Sequence, residues 1–158
     1  MEINVLFDEG FEGCLDAGWL EGIAQAVLAA QGIGEGVEMG LVITGQEKVH
    51  ELNKTYRGQD KPTDVLAFAL LPGSDTELGL SFTAPPDGVR HLGEVIISYP
   101  QAVQQAEEQH HSQKREVAIL VIHGVLHLLG YDHIKSDEAV LMSAKEAEIL
   151  KTVEAKLK

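Results

Sequence analysis

The chain has 158 residues, with 12 Lys and Arg against 25 Asp and Glu, a formal charge of −13, 44% hydrophobic residues and a sequence pI near 4.8. Those values fit one soluble globular domain spanning residues 1–158, and 5 Pro and 16 Gly are too few for a collagen-like or low-complexity chain. The single cysteine, Cys14, excludes an internal disulfide, a CxxC redox pair and an all-thiolate zinc site, which fits a reducing compartment.

The amino terminus carries Glu2 and no basic residue before Lys48, so it lacks the positive start of a signal peptide and points to a cytoplasmic protein. Ile3–Phe7 is apolar with one polar break and precedes Asp8-Glu9-Gly10, the pattern of a strand ending in a turn. Asp16 stands as N-cap before Ala17–Ala30, where Trp19, Leu20, Ile23, Val27 and Leu28 recur at helical spacing. Gly32, Gly34 and Gly36 break that helix ahead of a second strand, Val37–Thr44, and a short helix, Gln46–Tyr56. A third strand is expected over Asp64–Leu71, then a long exposed loop over Pro72–Val89, of the kind that is often functional. A fourth strand, Gly93–Tyr99, stops at Pro100, which suits the first turn of a polar helix, Gln101–His111. Val117–Gly130 spans 14 residues, shorter than the ~20 needed to cross a bilayer, and reads as a buried helix. Asp137–Lys158 is the closing helix, acidic at its start and basic at its end.

Charge is distributed unevenly. Residues 1–47 hold nine acidic side chains and no Lys or Arg, whereas Lys48, Lys54, Arg57 and Lys61 face only Glu51 and Asp60 between positions 48 and 61. Overall acidity disfavours indiscriminate binding to a phosphate backbone, so a nucleic-acid partner would approach that basic stretch.

The strongest chemical signal is His123-Gly-Val-Leu-His127-Leu-Leu-Gly130-Tyr-Asp-His133. Four residues apart, His123 and His127 share one helix face one turn apart, and Gly130 can end the helix so that His133 returns to the same point. A helical histidine is usually a satisfied core or surface residue. Here, two unpaired imidazoles buried among Val, Ile and Leu would cost roughly 1–3 kcal/mol each, whereas coordination satisfies them. Three imidazoles leave a fourth position open, the arrangement of a catalytic zinc site. The spacing equals that of the zinc-protease pattern H-E-x-x-H-x-x-G-x-x-H, except that Gly124 replaces the catalytic Glu, so ordinary peptide hydrolysis lacks its general base. Arg57, where a helix gives way to a loop, can hold a phosphate through two parallel hydrogen bonds or stand as a solvated arginine. Asp60, Asp64, Glu94 and Asp132 are possible partners for histidine N–H groups and stay unassigned.

The stretches Tyr56-Arg57-Gly58-Gln59-Asp60-Lys61-Pro62-Thr63-Asp64-Val65-Leu66 and His123–His133, with Leu92-Gly-Glu-Val-Ile-Ile-Ser98 between them and Met142–Leu150 after, resemble the YbeY family of bacterial metal-dependent endoribonucleases over about Lys48–Leu150. Ala67 and Ala69 depart from the family's usual PTDVLSFP, at a strand end rather than at a ligand. The resemblance implies an α/β (α+β) domain, a small four-stranded mixed sheet packed with about five helices. It also implies one zinc ion on His123, His127 and His133, and a functional arginine at Arg57. The implied activity is cleavage of single-stranded RNA in maturation of small-subunit ribosomal RNA and in ribosome quality control, with ribosomal proteins of the small subunit and the GTPase Era as partners and no membrane. In that chemistry His123 and Arg57 are the catalytic candidates: a zinc site lowers the pKa of water or polarises a phosphoryl oxygen, and Arg57 stabilises charge on the phosphorane. Two other readings remain open, a ribosome assembly factor in which zinc is structural, and a metalloprotease with an external base.

Overall fold

The computed structural model describes residues 2–33, 36–58, 63–69, 90–129 and 136–157. The order of elements is β1 (Glu2–Phe7), α1 (Ala17–Ala30), β2 (Val37–Thr44), α2 (Gln46–Arg57), β3 (Val65–Ala69), β4 (Arg90–Ser98), α3 (Tyr99–Glu108), α4 (Gln113–Leu128) and α5 (Ser136–Thr152), with a 3₁₀ turn at Glu154–Leu157. The sheet runs β1-β2-β4-β3; β1, β2 and β4 are parallel, and β3 is antiparallel to β4. This is the expected α+β fold with a four-stranded mixed sheet and five helices.

Alternation along the strands decides which helices cover which face. In β2, Val37, Met39, Leu41 and Ile43 point to one side and join Val95 and Ile97 of β4. Leu20, Ile23, Val27 and Leu28 of α1 close over them with the apolar face of α4, each such side chain contributing roughly 1.5–3 kcal/mol by burial. The opposite side gathers Val42, Leu66, Phe68 and Ile96 under Val49 and Leu52 of α2. α4 therefore lies in the middle of the molecule, between sheet and helices, which is why it is apolar nearly all round. Among the described residues, no helix is long and apolar enough to cross a membrane.

Several boundaries move from their expected places, each for a local reason. Asp16 caps α1 as anticipated, accepting from Gly18 N–H at 2.8 Å. α3 begins at Tyr99 rather than Gln101, because Ser98 Oγ accepts from Gln101 N–H and Pro100 sits in the first turn. α4 begins four residues before Val117, because Ser112 Oγ accepts from Arg115 N–H at 3.1 Å and draws the polar turn into the helix. The last helix stops at Thr152, so only Lys151 of the three C-terminal lysines lies in its final turn. β4 starts at Arg90 rather than Gly93. Its register against β2 skips Leu92, a bulge, and Gly93 takes φ +128°, where a Cβ would overlap the Phe68 carbonyl oxygen. Leu70, Leu71 and the expected loop over 72–89 lie outside the described residues.

A polar network fixes β3 against the helices. Gln105 Nε2 donates to Asp64 Oδ2 at 3.2 Å and to the buried Glu116 Oε2 at 2.7 Å, and Glu116 Oε1 meets His111 Nε2 at 2.6 Å. Asp64 also accepts Ser98 N–H at its carbonyl, 2.9 Å away. This aspartate thus secures the entry of β3 next to α3 and α4.

Candidate metal centre

α4 presents its histidines through the one strip of its surface that the core does not cover. Ile119, His123 and His127, four residues apart, are each half-buried, while Val117, Ala118, Leu120, Val121, Ile122, Val125, Leu126 and Leu128 are buried. The His123 side chain keeps 29% of its surface exposed, so the expected cost of sealing unpaired imidazoles in the core does not arise: the pair faces a partly open site. The spacing does what helix geometry requires. The two Nε2 atoms face each other at 3.1 Å, with the rings edge to face and their centroids 4.6 Å apart.

That separation can be tested against an ion. Two nitrogen–zinc bonds of about 2.0–2.1 Å drawn to nitrogens 3.1 Å apart enclose an angle of about 100°, close to tetrahedral. Two imidazole nitrogens are also ligands of the type zinc prefers. The pair therefore fits a shared metal ion. Among the described residues no group of three His, Cys, Asp or Glu is assembled to hold one, and His133, the expected third ligand, lies outside them, as do Gly130 and Asp132.

Position 124 explains why the protease carboxylate is missing. Gly124 lies where α4 crosses β4, and a Cβ there would overlap Val95 Cγ1 and stand 3.0 Å from Cγ2. A Glu at this position would have to enter the sheet. The residue is a packing contact that lets the histidine face be carried at its observed height above the strand.

Of the four acids considered as partners, Asp64 is engaged elsewhere, and Glu94 is exposed on β4 with its side chain over Gly40. Asp60 and Asp132 lie outside the described residues. Among the described residues, Glu146 of α5 meets the motif, its Oε1 2.8 Å from His123 Nδ1. Sequence reading placed Glu146 in a family-like helix without a role, since a contact across 23 residues has no local signal. Arg57 is the last residue of α2, as expected at a helix-to-loop change, and Gly58 in the left-handed conformation caps the helix by donating its N–H to Asn53 O. The described part of Arg57 is its backbone, so its relation to the histidines is not among the observed contacts. Tyr56, beside it, packs edge to face on Phe68 at 5.9 Å and ties this end of α2 to β3. Burial pushes up the Cys14 thiol and the Tyr99 phenol near the starts of α1 and α3, which keeps both protonated at neutral pH.

Fold and histidine pair together define an α+β domain that carries a metal-type histidine motif on a central helix. The family model for Endoribonuclease YbeY matches residues 15–154, and the chain belongs to the YbeY family. A protein named Endoribonuclease YbeY from Dehalococcoides mccartyi (strain BAV1) is 50% identical over 149 residues, covering 92% of this chain and 93% of the relative. One of the same name from Chloroflexus aurantiacus (strain J-10-fl) is 46% identical over 94% of this chain and 92% of its own. The solution structure of TM1509 from Thermotoga maritima has a TM-score of 0.62 and 27% identity, covering 98% of this chain and 90% of its own.

Proposed function

We propose that this protein is a zinc-dependent endoribonuclease that cuts single-stranded RNA in the maturation of small-subunit ribosomal RNA and in ribosome quality control, working in the cytoplasm with the small subunit and the GTPase Era. The observation that carries the reading is the facing pair of Nε2 atoms, 3.1 Å apart, on a half-open helix face. Membership of a family whose relatives are named endoribonucleases supplies the substrate class.

His123, His127 and His133 would hold the ion, which when bound would supply Lewis-acid activation of water or of a phosphoryl oxygen. Arg57 grips the scissile phosphate with its guanidinium and stabilises the charge that develops on it. α4, wedged against β4 through Gly124, keeps the two helical histidines from moving apart as charge builds up.

The test is cleavage of a single-stranded RNA by the wild-type protein and by His123→Ala purified identically, with zinc content measured on both. Cutting and stoichiometric zinc in the wild type alone establish the reading, and end-group analysis then identifies the nucleophile, a cyclic phosphate meaning attack by the ribose 2′-hydroxyl. Equal cutting, or none, transfers the assignment to a zinc-stabilised ribosome assembly factor. Arg57→Ala is expected to lower turnover by about 10²–10³ with zinc content unchanged, as for loss of one donor to transition-state charge.

A further inference from the structure

We propose that Glu146 is a positioning residue for the metal centre: its carboxylate holds the Nδ1 proton of His123 and thereby commits Nε2 to the ion. The inference rests on the metal-site reading above and adds a residue from a different helix.

Glu146 is placed for this by the packing of α5. Met142 and Ile149, four residues before and three after it, are buried in the core, so the same face of α5 that docks on α4 carries Glu146 at its margin. Its contrast is Glu148, two residues on, which is 71% exposed and pairs only with Lys145 of its own helix in the observed ion pairs. Glu146 also lines a cleft of about 250 Å³ between α4 and α5 with Ile119, Ile122, Ser143, Ala147 and Leu150. Its surroundings on that side are mostly apolar, which strengthens the bond it makes.

The bond decides a tautomer. A neutral imidazole has one N–H and one lone pair, on opposite nitrogens. Nδ1 of His123 lies 2.8 Å from a carboxylate oxygen that in its ionised form can only accept, so the proton resides on Nδ1 and the lone pair on Nε2. Nε2 is the nitrogen that faces His127 at 3.1 Å. A carboxylate in this place does three things at once: it selects the ligating nitrogen, fixes the ring plane, and raises the basicity of the donor. It also joins α5 to the helix that carries His123 and His127.

The experiment uses the full chain stripped of metal, titrated with zinc against a chromogenic chelator, alongside nitrogen NMR of the histidine rings in the metal-free protein. In the wild type His123 is expected as the Nδ1–H tautomer. Glu146→Ala is expected to bind zinc about 10–100-fold more weakly and to show His123 as a mixture of tautomers. Glu146→Gln, whose amide oxygen still accepts, is expected to keep the Nδ1–H tautomer and recover part of the affinity. Glu148→Ala, which removes a charge from the same helix, is expected to stay within about twofold of the wild type. Should the alanine variant fail to fold, Glu146→Leu fills the volume without an acceptor and is read in the same way. Wild-type zinc affinity and an unchanged His123 tautomer in the alanine or leucine variant overturn this inference alone. A wild type that binds zinc no better than His123→Ala overturns the metal-site reading, and this inference with it.

Discussion

At position 124 two local preferences oppose each other. Glycine in the interior of a helix costs about 1 kcal/mol relative to alanine, so a stabilising Gly124→Ala change would be the natural expectation from helix propensity. The Cβ it introduces, however, would overlap Val95 Cγ1, a branched side chain that is itself buried and cannot swing aside. Overpacking of a close-packed core costs about 1–3 kcal/mol. With so close an overlap on Val95 Cγ1 the steric term is the larger, and Gly124→Ala is expected to lower the free energy of unfolding by up to about 2 kcal/mol in a urea titration. Val95→Ala, which opens a cavity alone, is expected to relieve the clash in the double variant, giving a favourable coupling of about 1 kcal/mol or more. Additive losses would show that helix and strand are not in contact here. The His-x-x-x-His spacing was legible in the sequence because helix geometry alone brings the two rings together. The reason for the glycine between them was not, since it depends on which strand the helix crosses.

At the scale of elements, apolar patterning placed the strands and α1, α2 and α4, proline and charge placement marked α3 and α5, and capping chemistry set where α1, α3 and α4 start. A turn such as Gln113-Lys114-Arg115-Glu116 shows no apolar stripe and reads as a loop, yet it is the first turn of α4 because Ser112 satisfies the Arg115 N–H. Two features then favour the polar turn over a loop: Glu116 turns inward to His111 and Gln105, and Arg115 reaches Glu154 at 3.2 Å in the closing 3₁₀ turn. Ser112→Ala is expected to cost about 1 kcal/mol of stability and Ser112→Gly only a few tenths, because glycine leaves the end of the helix open to water. Equal losses for the two variants in a urea titration would place the contribution of Ser112 outside the cap. The bulge at Leu92 escaped sequence reading for a related reason. A glycine beside a strand pattern resembles its end, and only the register against β2 shows the strand passing through it.

For the molecule as a whole, the burial of α4 followed from its apolar run, while the sheet order and the wiring of the site did not follow from any local pattern. Glu146 meets His123 across 23 residues and Asp64 meets Gln105 across 41, and nothing in either local sequence marks these pairings. Charge, by contrast, is readable from composition and constrains how RNA can bind. A molecule with a net charge of −13 repels a polyanion at long range, so attraction must come from a small group of cations close to the bound strand. Lys114 lies over the Trp19 ring at 5.9 Å and Arg115 pairs with Glu154, which commits both to contacts within the fold. Lys48, Lys54, Arg57 and Lys61 are the basic stretch of the sequence, with Lys48 lying 4.0 Å from Asp8 at the edge of an ion pair, so the four together set an upper bound on what this stretch can offer. Each phosphate neutralised on a single strand contributes about 0.7 to the slope of log affinity against log salt, so four cations give a slope of about −3. Anisotropy titrations of a labelled single-stranded RNA with the His123→Ala variant, which is expected not to cleave, between about 50 and 200 mM KCl, are expected to give a slope no steeper than this. A slope near −6 would mean that twice as many phosphates are neutralised, and would require cations outside residues 48–61 to turn towards the RNA.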